Sequence, residues 1–148
     1  MDYIGVLKFD ADGRAIAEQR FLGLYTSSAY NRRPWEIPLV RQRHEAVMAA
    51  SGLGENSHSG KTLRHILETL PRDELFQISE ADLARISSGV LRLLLRPRTH
   101  LFIRRDRFDR YVSALLYTPR DSYTSELRTR AHKMLAEAYG GRTSAFYP

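Results

Sequence analysis

Thr99-His-Leu-Phe-Ile-Arg-Arg105 and Arg110-Tyr-Val-Ser-Ala-Leu-Leu-Tyr-Thr118 are two apolar-rich runs joined by Asp106-Arg-Phe-Asp109. Their β-branched and aromatic content and the short polar connection predict an antiparallel strand pair. Reading outward, Ser79 to Leu95 predicts a helix on the amino side and Thr124 to Tyr139 a helix on the carboxyl side. Beyond these, Glu74-Leu-Phe-Gln-Ile78 and Ser144-Ala-Phe-Tyr147 read as short strands. The order β-α-β-β-α-β is the ferredoxin-like split βαβ, with a four-stranded antiparallel sheet and both helices on one face. The fold class expected is therefore α+β, with the ferredoxin-like body over 71–148. That order carries no chemistry of its own, so function has to be argued from sites.

Local signals in this half agree with each other. Ser79-Glu-Ala-Asp82 has the spacing of a capping box. Leu83, Ile86, Val90, Leu93 and Leu94 form the apolar stripe of the first helix. Leu127, Ala131, Met134, Leu135 and Ala138 form that of the second, and Gly140-Gly141 closes it.

Residues 1–70 are organised differently. Tyr3–Phe9 and Ala15–Tyr25 predict a β-hairpin, with Asp12-Gly13 supplying the positive φ of its turn. An uncharged loop, Thr26 to Asn31, follows. Leu39 to Ala50 predicts a helix with Val40, Val47 and Met48 on one face. A second helix runs from about Gly60 to Leu70, with Leu63, Ile66, Leu67 and Leu70 inward, and Pro71 ends it. A hairpin and two helices bury too little surface alone, so this half is expected to belong to a larger preceding domain. A strand starting at Ile4 and another running into Pro148 suggest a segment of something longer.

Composition narrows the function classes. Apolar content of 43% and charge of 27% are those of a globular chain. The absence of cysteine excludes disulfides, thiolate metal sites and a cysteine nucleophile. The first residues are acidic, and no apolar run approaches the roughly 20 residues of a membrane span. A cytoplasmic location follows as the expectation, with no membrane partner. The net charge of +6 nominates a polyanion partner. Arginine outnumbers lysine twenty to three, which reads as a general coding preference.

Gly54-Glu-Asn-Ser-His-Ser-Gly60-Lys61-Thr62 imitates a phosphate-binding loop but has five residues between its glycines instead of four, and it follows a helix. A helix connection capped by Ser57 or Ser59 accounts for it. Arg107-Phe-Asp-Arg-Tyr-Val-Ser-Ala114 matches the RNA-recognition signature only at Arg107, Tyr111 and Val112. A free-standing split-βαβ RNA-binding module is the alternative reading. Nucleic acid is not expected as a partner, because Asp109 repels phosphate where stacking aromatics would be needed. The five histidines lack ligand spacing, and no dinucleotide fingerprint or nucleophile elbow occurs. No catalytic, cofactor-binding or metal-binding residue is assigned.

Two surface features remain. Arg96, Arg98, Arg104, Arg105, Arg107 and Arg110 form the densest charge on the chain. They are a solvated face or a docking patch for an acidic surface. Both alternating sets of the last predicted hairpin strand are mostly apolar or aromatic, Tyr111, Ser113, Leu115 and Tyr117 in one and Val112, Ala114 and Leu116 in the other. A sheet with one wet face should be polar on one of them. Leu101, Phe102, Ile103, Tyr111, Leu115 and Tyr117 are therefore the candidate interface.

Several runs resemble one enzyme family. Arg20-Phe-Leu-Gly-Leu-Tyr-Thr-Ser-Ser-Ala-Tyr-Asn31, Glu36-Ile-Pro-Leu39, Asn56-Ser-His58 and Ile66-Leu-Glu-Thr69 are four of them. Pro71-Arg-Asp-Glu-Leu-Phe-Gln77, Arg104-Arg-Asp106 and Tyr111-Val-Ser113 are three more. Tyr117-Thr-Pro-Arg-Asp121 and Glu126-Leu-Arg128 complete the set. In order and content they resemble the large bacterial NAD-specific glutamate dehydrogenases, in a long amino-terminal region that contains ACT-like βαββαβ modules. The resemblance implies a non-catalytic regulatory or assembly segment. NAD would be used by the parent enzyme and no cofactor held here. Partners would be the parent's other domains and further copies of the chain. ACT domains that bind amino acids commonly carry a glycine after their first strand. Ile78-Ser79-Glu80 has none, which shifts the implied role from ligand binding to architecture.

Overall fold

The computed structural model describes residues 2–144. It is α+β, with two separate two-stranded antiparallel sheets and six α-helices among the described residues. The chain divides into two compact units, residues 1–83 and 84–148, and the division falls inside one helix.

The first unit opens with β1 (Asp2–Phe9) and β2 (Ala15–Gly23), paired from Asp2↔Gly23 to Phe9↔Ala15. The turn is held by Asp10. Its Oδ1 accepts from the backbone N–H of Asp12 (3.0 Å) and Arg14 (2.8 Å), and Gly13 takes φ 78°. Almost every residue of the ribbon is exposed, including Val6, Leu7, Phe9, Ile16 and Leu22. Ser27–Asn31, expected as a loop, forms a one-turn helix, α1.

Helices α2 (Val40–Ala50) and α3 (His58–Thr69) supply the core of this unit. Val40, Val47 and Met48 are buried from one, and Leu63, Ile66 and Leu67 from the other. The glycine-containing segment before α3 is a helix connection. Ser57 Oγ accepts from Gly60 N–H (3.0 Å), and Gly60 lies so close to the Gly54 carbonyl that no Cβ fits there.

The run Glu74–Ile78, expected as a strand, belongs mostly to a helix, α4 (Arg72–Gln77). Leu75 and Ile78 are both buried, and three residues apart is a helical spacing, not a strand's. Asp73 and Glu74 stand in the first turn, where the helix dipole favours acids. The end is closed from another helix: Arg43 donates to the carbonyls of Leu75 (2.9 Å) and Phe76 (3.3 Å). Phe76 anchors the preceding chain, stacking on Tyr25 at 4.2 Å and meeting Tyr30 edge-on at 5.6 Å. It is thus a packing residue.

Helix α5 (Glu80–Leu95) starts at the expected cap. Ser79 Oγ accepts from the Asp82 N–H (3.1 Å) and donates to Asp82 Oδ2 (2.9 Å). Of its stripe, Leu83, Ile86, Val90 and Leu93 are buried, whereas Leu94 is 58% exposed. In the second unit β3 (His100–Arg105) pairs with β4 (Val112–Tyr117), with Phe102 opposite Leu115 and Leu101 opposite Leu116. Helix α6 (Ser125–Tyr139) is capped by Thr124 and ended by Gly140 in the left-handed region, and it contains no buried residue.

The four-stranded sheet is therefore absent among the described residues. What is present is helix, strand, strand, helix. The first expected strand is α4, and the last, over 144–147, falls outside the described residues beyond Ser144. Among the described residues no helix is long and apolar enough to cross a membrane.

Candidate functional site

The β3–β4 hairpin carries both surfaces expected from the sequence, and the pleat sorts their residues. Antiparallel partners share a face. One face presents His100, Phe102 and Arg104 with Ser113, Leu115 and Tyr117, and the other presents Leu101, Ile103 and Arg105 with Val112, Ala114 and Leu116. Five of the six candidate interface residues are thus divided, with Phe102, Leu115 and Tyr117 on one side and Leu101 and Ile103 on the other, while Tyr111 precedes β4.

The Phe102 side is covered. Its ring lies against Gly89 of α5, where a Cβ would come within 2.5 Å of Phe102 Cε1. Glycine here lets the helix and strand approach closely. Tyr117 and His100 pack edge-on to the same ring at 5.7 and 4.5 Å. Burial pushes the Tyr117 hydroxyl pKa up. Phe102 is 5% exposed, so it is a core residue of this unit and not part of an open surface. The opposite side is the open one. Leu101 and Leu116 are 40% and 37% exposed.

The arginines do not act as one patch either. Arg104 is buried; its guanidinium donates to the Tyr111 hydroxyl (3.2 Å) and lies over the Tyr111 ring. Arg110 grips Asp106 with two bonds, Nε to Oδ2 at 2.8 Å and Nη2 to Oδ1 at 3.0 Å. Asp106 also accepts from the backbone N–H of Phe108 (3.1 Å) and Arg110 (3.3 Å). The Arg110 guanidinium and these N–H groups hold the Asp106 carboxyl far below the usual carboxylate range. The connection is completed by Asp109 at φ 55°, a conformation aspartate tolerates. Arg105 pairs with Asp109 at 3.3 Å in solvent. Arg104 and Arg110 are thus structural, while Arg96, Arg98 and Arg107 are exposed. Asp106 is the residue that sequence reasoning missed. An aspartate four residues before an arginine, in a strand connection, was its signal.

Two family models match the chain. One described as "Glutamate dehydrogenase, helical motif 1" covers residues 37–96, and one described as "Glutamate dehydrogenase, ACT2 domain" covers residues 100–148. The first takes in α2 to α5, and the second begins at β3. A Halomonas elongata protein named NAD-specific glutamate dehydrogenase is 43% identical over 136 residues, 92% of this chain. Proteins of the same name from Pseudomonas aeruginosa and Mycobacterium tuberculosis are 39% and 34% identical, over 92% and 89% of the chain. The chain spans 8% of the length of each of these relatives. With two adjoining modules of one enzyme matched in order, and relatives of one name along nearly its whole length, this chain belongs to the NAD-specific glutamate dehydrogenase family as a segment of it.

Proposed function

We propose that this chain is a non-catalytic regulatory and assembly segment of a large NAD-dependent glutamate dehydrogenase. The parent reaction would be that of L-glutamate, NAD and water giving 2-oxoglutarate, ammonia and NADH, in the cytoplasm, with NAD held elsewhere in the parent. The observation that carries this reading is the open face of the β3–β4 hairpin, Leu101, Ile103 and Leu116, in the stretch matched by an ACT-domain model. A two-stranded sheet is marginal by itself. An apolar face left open on it is a surface for packing.

On this reading the hairpin and α6 are the centre of an ACT-like ferredoxin-like body within 71–148, and further strands complete its sheet. Residues 1–70 belong with a larger preceding domain, and the apolar residues on the β1–β2 ribbon give that domain something to cover. The partners are other domains of the parent and further copies of it. Arg96 and Arg98, before β3, and Arg107, after it, remain exposed to an acidic neighbour.

The test is an assay for NADH formation by the purified 148-residue chain with glutamate and NAD. No formation above a heat-killed control is expected, since the sequence has no dinucleotide fingerprint. Turnover would overturn the reading.

A further inference from the structure

A cleft of ≈ 380 Å³ opens in the first unit between the Pro34–Glu36 turn, α2, the connection from α2 to α3, and Arg64 in the middle of α3. That size falls within the usual range of small-molecule sites, about 300–1,000 Å³. Two polar atoms buried at it have no hydrogen-bond partner, His44 Nε2 and Arg64 Nε. His44 is 5% exposed, and its ring meets that of Trp35 at 5.4 Å. The Arg64 guanidinium lies over the same Trp35 ring at 5.5 Å. Buried polar groups are nearly always paired, so two orphans at one cleft point to something that pairs them.

The lining also fixes the chemistry of that partner. Arg64 and Glu55 face each other at 3.6 Å, and Glu45 lines the same cleft. Burial and the Arg64 charge lower the His44 pKa and so favour the neutral imidazole. One fixed cation, a neutral imidazole and two carboxylates thus surround a space whose remaining walls include Trp35, Met48 and Leu53. A simple anion would pair Arg64 Nε–H, and His44 in its Nε2–H tautomer, but would be repelled by both glutamates. A simple amine would suit the glutamates and leave Arg64 Nε–H unpaired. A molecule bearing both charges on one carbon satisfies both sets.

We propose that this cleft binds a free α-amino acid with an apolar side chain. The carboxylate accepts from Arg64 Nε–H and His44 Nε2–H, the ammonium faces Glu45 and Glu55, and the side chain lies against Trp35 and Met48. The site is separate from the β3–β4 hairpin and stands whether or not the assembly reading holds.

Trp35 is the single tryptophan of the chain, so its fluorescence reports on the cleft directly. The experiment titrates the 148-residue chain with L-phenylalanine and L-methionine. Phenethylamine and 3-phenylpropionate serve as the one-charge analogues. A saturable change in Trp35 emission is expected with at least one amino acid, with both analogues weaker by about tenfold or more. Arg64→Gln should weaken the amino acid by a similar factor. Glu55→Gln, at an exposed position, should weaken it while leaving the circular dichroism unchanged. The proposal is overturned if neither amino acid gives a saturable change up to its solubility limit. It is also overturned if either analogue binds as tightly as the amino acid, or if a folded Arg64→Gln or Glu55→Gln chain binds unchanged.

Discussion

Asp106 shows how much one side chain fixes in this molecule. Its carboxylate takes four donors, from the Arg110 side chain and from the Phe108 and Arg110 backbone, and so sets the connection between β3 and β4. Its folded pKa lies well below its unfolded one. The stability it contributes is therefore complete above the ordinary aspartate pKa, about 3.9, and is lost as pH falls below that value. Asp106→Asn should lower the melting temperature at neutral pH. It should also flatten the loss of stability between about pH 4 and pH 2, measured by thermal melts across that range. An identical pH dependence in both chains would remove Asp106 from this role. The buried leucines make a simpler case. Leu67 is 1% exposed and Val90 5%. Leu67→Ala should cost about 2–5 kcal/mol, and Val90→Ala less because fewer atoms are removed. Unchanged melting in either variant would mean that helix face is not packed. These residues were legible because helical spacing predicts an inward stripe. Trp35, His44 and Arg64 were not, because no local period joins positions 9 and 20 residues apart.

Among the elements, the long helices were readable and the short helices α1 and α4 were not. α3 and α5 announce themselves by long stripes and by the Ser57 and Ser79 caps. Glu74-Leu-Phe-Gln-Ile78 is too short for its period to decide between helix and strand. What decides it is tertiary: Arg43 on the closing carbonyls and Leu75 and Ile78 in one core. For β4 the alternation was legible but its direction was not. The covered face depends on Gly89, a residue on another element. The structure now sets the order of effects. Leu115→Glu introduces a charge on the face shared with Phe102 and should unfold the second unit. Leu116→Glu, on the open face, should leave the isolated chain folded with little change in melting temperature. Circular dichroism melts of the two variants check this, and a Leu116→Glu chain as damaged as the Leu115→Glu chain would show that the second face is also buried.

The whole molecule reads as two modules of one family that follow one another in sequence, with helices α2 to α5 in the first and the β3–β4 hairpin with α6 in the second. Surfaces that a free-standing protein would bury, the β1–β2 ribbon and the Leu101–Leu116 face, are open in this chain. The family was legible because its runs lie along the whole sequence. The architecture was less so, because a sheet's strand count depends on chain that pairs from a distance. The central claim is that this segment shapes the parent enzyme without performing its chemistry. Its most direct test is the full-length dehydrogenase carrying Leu116→Glu, measured for particle mass in solution and for glutamate-dependent NADH formation. The account predicts altered assembly or an altered response of rate to substrate concentration, with the catalytic reaction itself retained. Mass and kinetics indistinguishable from the unaltered enzyme would contradict it.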